Sequence, residues 1–259
     1  MKKLIEGLRK FQSNYVNTHR QLFEELSLGQ HPRTLFITCS DSRVDPNLIT
    51  QAEIGELFVI RNAGNIIPPY RAANGGEGAA LEYAVAELKV KQIIVCGHSK
   101  CGAMKGLLKM DSLSDKLPDV YDWLKHAEAT RRLVKDNYSH FEGDELLEIT
   151  VANNILNQLD NLQTYPVVRS GQHQGNLSLH GWIYRIETGE VLAYDPVIHD
   201  FVAPHSRLRA VEPEYNFHPN CRVPGKDNLS TPVNNAPDLP VSPHLSPEQT
   251  NRIYRGSSR

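Results

Sequence analysis

The sequence lacks the features of a membrane protein and of a nucleic-acid-binding protein. No run of apolar residues approaches the roughly 18 that a membrane-spanning helix needs. The apolar stretch near the N-terminus is interrupted by Glu6 and Arg9, so it does not have the pattern of a signal peptide. Lysine and arginine are spread along the chain without a basic block, and the formal net charge is −2. We therefore expect a cytoplasmic protein that binds neither membranes nor nucleic acid.

Cysteine is also scarce, since the chain of 259 residues has only 4. This density excludes the disulfide-rich scaffolds of small secreted proteins. In a protein that is not exported, a cysteine close in sequence to histidine or aspartate indicates metal binding or catalysis. Cys39 and Cys101 have such neighbours, whereas Cys96 lies inside a predicted strand and is interpreted as a core residue.

Short apolar strands alternate with amphipathic helices along residues 1–205. Apolar residues at helical spacing predict a helical arm over residues 1–29. Further along, the pattern predicts strands at 34–38, 57–61 and 92–96, helices at about 119–136 and 145–162, and a hairpin at 177–195. This alternation is typical of an α/β domain with a central, mainly parallel β-sheet flanked by helices. The domain is predicted to comprise residues 1–205.

The composition changes after residue 205. Eight of the sixteen prolines lie within residues 206–259, together with many Asn and Ser and few large apolar side chains. Such a segment buries too little apolar surface to offset the entropy lost on ordering, so we predict a flexible, largely disordered C-terminal extension. Residues 251–256 regain one aromatic and two arginine side chains, which indicates a short docking peptide or, alternatively, a frayed end with arginines by chance.

Two motifs with metal-binding residue types follow predicted strands directly. Cys39-Ser-Asp41-Ser-Arg43 follows the first strand, and His98-Ser-Lys-Cys101-Gly102 follows the third. Loops at the carboxyl ends of parallel strands converge at one edge of the sheet, so we expect the two motifs to meet there. Two thiolates and one imidazole form a natural zinc set, and three protein ligands leave one position for water, as in catalytic zinc sites.

Asp41 and Arg43 could together control access to the fourth position on the metal. Asp41 could act as an alternative fourth ligand and close the site. Arg43 could instead hold the Asp41 carboxylate in a bidentate pair, away from the metal, and leave the site open to water. Water bound to zinc ionises near neutral pH.

Each motif taken alone has a simpler interpretation. An isolated His-x-x-Cys pattern is more often structural or incidental than catalytic, and Cys-x-Asp-x-Arg alone is only moderately specific. A cysteine phosphatase is disfavoured because Cys39 and Arg43 lie closer in sequence than a phosphate-binding loop requires. The combination of both motifs, each at the end of a strand, favours a catalytic metal site.

The motifs of this sequence resemble those of a known family. The two motifs above, with Arg61-Asn62-Ala-Gly-Asn65 and Gly75-Gly-Glu-Gly-Ala-Ala-Leu-Glu-Tyr83, are similar to the signatures of the β-class carbonic anhydrases, and the resemblance spans roughly residues 1–200. The long extension makes the whole chain similar to the cyanobacterial carboxysomal branch. The resemblance implies reversible hydration of CO2 to bicarbonate by attack of zinc hydroxide, with one Zn²⁺ per subunit. It also implies a homodimer or higher homo-oligomer inside the carboxysome, supplying CO2 to the carboxylating enzyme. The C-terminal extension would contact a carboxysome scaffold protein.

The resemblance also implies a role for individual residues. The zinc ligands fall on Cys39, His98 and Cys101, and the catalytic dyad falls on Asp41 and Arg43. The substrate-binding positions fall on Gln30, Phe58, Ala63, Tyr83 and Gly102. Gln30 would reach the site of a neighbouring subunit. A small, apolar pocket formed by side chains such as Phe58 suits CO2, which is neutral and apolar.

Two alternatives stay open from the sequence. A zinc hydrolase on the same scaffold could act on CS2 or COS, which share the linear shape of CO2. A binding or scaffold protein could use the zinc structurally, although such a site has no use for the Asp41–Arg43 dyad.

Overall fold

A six-stranded β-sheet is the central element of the computed structural model, which describes residues 1–73 and 75–204. Its strands are β1 (Thr34–Cys39), β2 (Leu57–Asn62), β3 (Gln92–His98), β4 (Ser178–Tyr184), β5 (Val191–Asp195) and β6 (Asp200–Val202). The order across the sheet is β2-β1-β3-β4-β5-β6. The first four strands in this order run parallel to one another, whereas β5 pairs antiparallel with β4 and β6 pairs antiparallel with β5. This arrangement confirms the predicted α/β class with a mainly parallel sheet.

Helices connect the strands and precede the sheet. The α-helices of the described residues are α1 (Lys2–Lys10), α2 (Arg20–Ser27), α3 (Pro46–Thr50), α4 (Gly76–Glu82), α5 (Gly102–Leu108), α6 (Pro118–Leu124), α7 (Glu128–Asn137), α8 (Gly143–Gln163) and α9 (Pro166–His173). Short π-helical turns at Phe11–Val16 and Tyr83–Glu87 continue α1 and α4, and a 3₁₀ turn at Lys125–Ala127 joins α6 to α7. The stretch predicted as one helix over about 119–136 is therefore two helices.

The N-terminal arm is helical, as predicted, but it is interrupted at His19, whose backbone has φ −116° and ψ 31°. Asn17 Nδ2 donates to the Ser13 carbonyl, and Thr18 Oγ1 donates to the Asn14 carbonyl. Polar side chains of this kind bond to nearby backbone groups and weaken helical continuity. No residue of α1 or α2 is buried in the single chain.

The main core lies between one face of the sheet and helix α8. Leu35, Ile37 and Val95 point to this face and are fully buried. A Cβ atom at Gly97 would lie 2.9 Å from Ile155 Cδ1, and one at Gly181 would lie 2.8 Å from Ile155 Cγ2. The two glycines therefore let α8 approach β3 and β4 closely, which fixes the strand ends that carry the motifs.

The opposite face of the sheet carries a second, smaller buried cluster. Phe36, Ile94 and Cys96 form it, with Trp182 packed edge-on against Phe36 at a ring-centroid distance of 6.0 Å. The interpretation of Cys96 as a core residue is confirmed, since its side chain is fully buried.

Two further sequence predictions concern the C-terminal extension and membrane-spanning helices. The extension over 206–259, with its docking peptide at 251–256, lies outside the described residues. Within the described part of the chain, no helix is both long and apolar enough to cross a membrane.

Candidate metal centre and active site

Three metal-ligating side chains meet at the carboxyl edge of the sheet. Cys39 is the last residue of β1, His98 is the last residue of β3, and Cys101 follows three residues later. Because β1 and β3 are parallel neighbours, their carboxyl ends lie side by side. The ligand atoms of the three side chains all lie within 4.8 Å of one another, and all three residues are buried. Tetrahedral zinc holds such atoms about 3.6–3.8 Å apart, so the group fits the ion.

The imidazole of His98 is oriented by a backbone carbonyl. Nδ1 lies 2.9 Å from the carbonyl oxygen of Ser99, which makes Nδ1 the protonated nitrogen. The other nitrogen, Nε2, is buried and has no hydrogen-bond partner among the described residues. A buried ring nitrogen without a partner is expensive unless a ligand occupies it. Histidines that bind metals typically use this arrangement, with the second nitrogen bonded to an oxygen.

Each of the two sulfur atoms shifts the pKa of the other. A hydrogen bond from the Cys101 thiol lowers the pKa of Cys39 to about 4, against the opposing effect of burial, and the Gly64 N–H, 3.4 Å from Cys39 Sγ, acts in the same direction. The Cys39 thiolate and burial together raise the pKa of Cys101 above its usual range. One thiolate is therefore present at neutral pH, and a metal would displace the second proton.

Asp41 is held by Arg43 beside this cluster. Arg43 Nε donates to Asp41 Oδ1 at 2.9 Å, and Nη2 donates to Oδ2 at 2.7 Å, which is a bidentate pair. Arg43 Nη2 also reaches the Lys100 carbonyl at 3.3 Å. Asp41 Oδ2 lies 3.9 Å from His98 Nε2, so the carboxylate borders the cluster while remaining on the arginine. The Arg43 hydrogen bond holds the pKa of Asp41 well below its usual range, and the group is a carboxylate at neutral pH.

The residues expected to contact substrate occupy different environments. Phe58 and Tyr83 lie together, with ring centroids 6.1 Å apart. Ala63 is half-buried in the loop after β2, and its carbonyl accepts a hydrogen bond from Trp123 Nε1 at 2.8 Å. Gly102 is the exposed first residue of α5, and Gln30 is an exposed residue in the connection between α2 and β1.

Several supporting residues were not predicted from the sequence. Arg61 donates to the carbonyls of Cys39 and Asp41, at 3.1 and 2.8 Å, and so ties the first motif to β2. The Ser99 hydroxyl donates to Glu187 Oε2 at 2.7 Å, which connects the second motif to the turn after β4. Arg61 and Ser99 stand within the motifs and could have been singled out. Glu187 has no local signal, because it lies 88 positions from its partner.

A helix far from the motifs holds the loop that carries Ala63 and Gly64. Asn154 Nδ2 donates to the Gly64 carbonyl at 3.0 Å, and Gln158 Oε1 accepts from the Ile67 N–H at 2.9 Å. Asn154 and Gln158 are buried on α8. Their amides satisfy backbone groups that the irregular loop leaves unpaired in the core.

Known proteins with similar sequences include carbonic anhydrases from several bacteria. The profile of the carbonic anhydrase family matches residues 34–191. A carbonic anhydrase from Synechocystis is 66% identical and covers 99% of this chain and 100% of the relative. One from Synechococcus elongatus is 53% identical over 100% of both chains, and one from Pseudomonas aeruginosa is 48% identical over 82% of this chain and 96% of the relative.

Solved structures give the same result. The structure of the β-carbonic anhydrase CcaA is 74% identical, with a TM-score of 0.78, and the match covers 79% of this chain and 99% of that one. The β-carbonic anhydrase CafA of Aspergillus fumigatus is 30% identical, with a TM-score of 0.66, over 75% of this chain and 90% of that one. The chain therefore belongs to the carbonic anhydrase family, in its β class, whose members interconvert CO2 and bicarbonate.

Proposed function

We propose that the chain is a zinc-dependent carbonic anhydrase that supplies CO2 to the carboxylating enzyme inside carboxysomes. The observation that carries the zinc assignment is the buried group of Cys39, His98 and Cys101, in which one imidazole nitrogen lacks a hydrogen-bond partner within residues 1–73 and 75–204. Two sulfurs and one nitrogen form a donor set that suits Zn²⁺, with one ion per subunit.

The residues of the site have distinct roles in this proposal. Cys39, His98 and Cys101 hold the ion, which when bound lowers the pKa of water so that hydroxide is available near neutral pH. Asp41 accepts a hydrogen bond from the attacking water-derived group and orients it toward CO2. Arg43 holds Asp41 away from the ion through the bidentate pair, and its loss would allow Asp41 to act as the fourth ligand.

The substrate is small and uncharged, so the pocket needs apolar walls and few polar groups. We assign the walls to Phe58, Ala63 and Tyr83, of which the two aromatic rings lie side by side. A Cβ atom at Gly102 would meet nothing within 4 Å, so the space on that side of the residue is open. We assign to the backbone N–H of Gly102 the orientation of bound bicarbonate. Gln30 is assigned to the site of a neighbouring subunit.

The proposal is tested by the Asp41→Ala variant, assayed for CO2 hydration by stopped flow with zinc quantified in the same sample. We expect turnover to fall by about 100-fold, as for the loss of a positioned proton-accepting group, while zinc content is retained. Asp122→Ala is the matched control, because the Asp122 carboxylate on α6 is exposed and pairs with Lys125, in the turn that follows this helix.

Two outcomes would contradict the proposal. Unchanged hydration in Asp41→Ala would remove the assigned role of the dyad and leave a structural metal site. Wild-type protein that is active but contains no zinc after exhaustive metal analysis would remove the assigned ion. Parallel assays with CS2 and COS decide whether the same site also hydrolyses these linear molecules.

We further propose that the chain forms a homodimer or a higher homo-oligomer. Strand β2 is at the edge of the sheet, and the apolar residues Leu4, Leu8 and Phe11 of the N-terminal arm are 66%, 67% and 43% exposed. Among the described residues, the outer edge of β2 is unpaired and the apolar stripe is unburied, and both features favour association with another chain. A related pair of β-carbonic anhydrases from Sordaria macrospora is described as tetrameric. Light scattering of wild-type protein and of Leu4→Glu/Leu8→Glu tests this, and a monomeric wild-type protein would contradict it.

The C-terminal extension is proposed to determine where in the cell the protein is located. The two cyanobacterial relatives align with 99% and 100% of this chain, whereas the relative from Pseudomonas aeruginosa covers 82%. The additional length is therefore shared with cyanobacterial proteins, and its residues 206–259 are rich in proline. We propose that this segment binds a carboxysome scaffold protein, with residues 251–256 as the docking peptide.

Pull-down of purified scaffold protein tests this assignment. Deletion of 206–259 is expected to abolish binding while zinc binding survives. The double variant Tyr254→Ala/Arg255→Ala tests the docking peptide in the full-length chain and is expected to weaken binding strongly. Undiminished capture by the truncated chain would refute the role of the extension, and full capture by the double variant would refute the docking peptide.

A further inference from the structure

Two backbone carbonyls orient side chains of the active site, and they belong to consecutive residues. The Ser99 carbonyl accepts from His98 Nδ1 at 2.9 Å, and the Lys100 carbonyl accepts from Arg43 Nη2 at 3.3 Å. The position of the peptide groups at 99 and 100 therefore determines how both the imidazole and the arginine of the dyad are directed.

Ser99 is attached on several sides to the segment that follows β4. Its N–H donates to the Tyr184 carbonyl at 2.9 Å. Its hydroxyl accepts from the Ile186 N–H at 3.0 Å and donates to Glu187 Oε2 at 2.7 Å. Ser99 is 5% exposed, so these are bonds of a buried residue and are not readily replaced by water.

Lys100 needs such support because its backbone is strained. Its φ angle is +54°, in the left-handed region that side-chain-bearing residues seldom adopt. This conformation turns the chain between His98 and Cys101. The Lys100 side chain lies 3.4 Å from Glu187 Oε1, so each carboxylate oxygen of Glu187 holds one of the two residues.

We propose that Glu187 is a positioning residue for the metal centre. It clamps Ser99 and Lys100 and thereby fixes the strained turn that brings His98 and Cys101 to one ion and presents the Lys100 carbonyl to Arg43. Glu187 itself does not touch substrate. This inference rests on the proposed zinc site.

The alternative is that Glu187 forms an ordinary surface ion pair. An exposed pair such as Lys100–Glu187, with side chains 57% and 42% exposed, contributes little by itself. The Ser99 bond separates the two interpretations, because it is short and its donor is buried. It also lowers the pKa of Glu187, which keeps the carboxylate ionised.

Zinc affinity of the full-length chain, measured by competition with a chromophoric chelator, tests the proposal. Glu187→Ala removes both contacts and is expected to weaken zinc binding about ten-fold, the effect typical of groups that support a metal ligand. Glu187→Gln keeps one oxygen that can accept from Ser99, and we expect it to restore affinity to within about three-fold of wild type. The loss of zinc affinity in the Glu187→Ala/Ser99→Ala double variant should be smaller than the sum of the two single losses, since both changes break the Ser99–Glu187 bond.

The control and the second readout separate positioning from general destabilisation. Asp122→Asn removes the carboxylate of another exposed ion pair, which Asp122 of α6 forms with Lys125, and should leave zinc affinity unchanged. The visible absorption bands of the cobalt-substituted protein report the ligand geometry, and they should shift in Glu187→Ala and return toward wild type in Glu187→Gln. Unfolding by urea is followed in parallel.

The outcomes distinguish this inference from the proposed function. A wild-type chain that does not bind zinc would overturn the proposed function and this inference together. If the wild-type chain binds zinc and the zinc affinity of Glu187→Ala lies within about two-fold of the wild-type value, the inference alone is overturned. Equal weakening in Glu187→Ala and Glu187→Gln, or additive effects with Ser99→Ala, would also overturn it.

Discussion

The Arg43→Lys variant tests how strongly the dyad depends on the shape of the guanidinium group. Lysine keeps the positive charge, but its single ammonium cannot reproduce the two parallel bonds to Asp41 at 2.9 and 2.7 Å. One of the two charge-assisted hydrogen bonds is lost, and water screens the remaining one, since the Arg43 side chain is 47% exposed. Asp41 would therefore leave the side chain at position 43 up to about ten times more often than in the wild type.

The expected result is a fall in kcat/KM for CO2 hydration of up to about ten-fold at neutral pH, with zinc content unchanged. Stopped-flow assays on samples of known metal content measure it. Arg131→Lys is the matched control, because Arg131 forms a similar bidentate pair with Glu128, at 2.7 and 2.8 Å, away from the site. If Arg43→Lys keeps wild-type kcat/KM, or if Arg131→Lys loses as much, the bidentate pair does not control the site.

Two further predictions concern stability. Gly64→Ala should lower the free energy of unfolding in urea by about 1–2 kcal/mol, because Gly64 has φ +84° and a Cβ atom there would lie 2.8 Å from Met104 Cε and 3.1 Å from Ala103 Cβ; unchanged stability would show that the loop relaxes without strain. Burial lowers the pKa of His180 from 6.5 to about 4, so the unfolded chain binds a proton that the native chain does not, and stability should be lost as the pH falls from about 6.5 to about 4. In His180→Gln this loss of unfolding free energy should shrink by at most about 3 kcal/mol. The value is an upper limit, because the His180 side chain is only half-buried in the single chain. Identical profiles of stability against pH for the wild type and His180→Gln would contradict the prediction.

Local patterns were sufficient to predict the sheet and the segments that end at the site. The strands at Thr34–Cys39 and Gln92–His98 are short apolar runs followed at once by polar motifs, so their ends could be placed to within a few residues. The break in the N-terminal arm was missed, because apolar periodicity continues through it while Asn17 and Thr18 bond to the backbone instead. The helix pair near 118–137 was merged for a similar reason, since a single 3₁₀ turn leaves the apolar spacing almost unchanged.

The ligands and the dyad could be grouped from the sequence, because each motif is contiguous and both follow parallel strands. The residues that support the ligands and the dyad could not be predicted from the sequence. Glu187 contacts Ser99 across 88 positions, and Asn154 contacts Gly64 across 90 positions. A single Glu or Asn has many ordinary uses on a surface, so its residue type gives no sign of such a contact. These partners become visible when the fold brings them together.

Gln158 illustrates how such a distant residue combines stability with the geometry of the site. It is fully buried on α8, where its oxygen accepts from the Ile67 N–H at 2.9 Å and its amide donates to Asn154 Oδ1 at 3.0 Å. Gln158→Leu keeps a similar volume but leaves the Ile67 N–H buried without a partner, which costs about 1–3 kcal/mol. We expect the free energy of unfolding in urea to fall by about 2 kcal/mol, and kcat/KM to fall as well, since the loop after β2 also carries the N–H that bonds Cys39 Sγ. Gln163→Leu is the control on the same helix, because its 3.4 Å bond to the Leu159 carbonyl stays within α8. Equal effects of the two variants would mean that α8 tolerates either amide loss alike and that Gln158 does not hold the active-site loop.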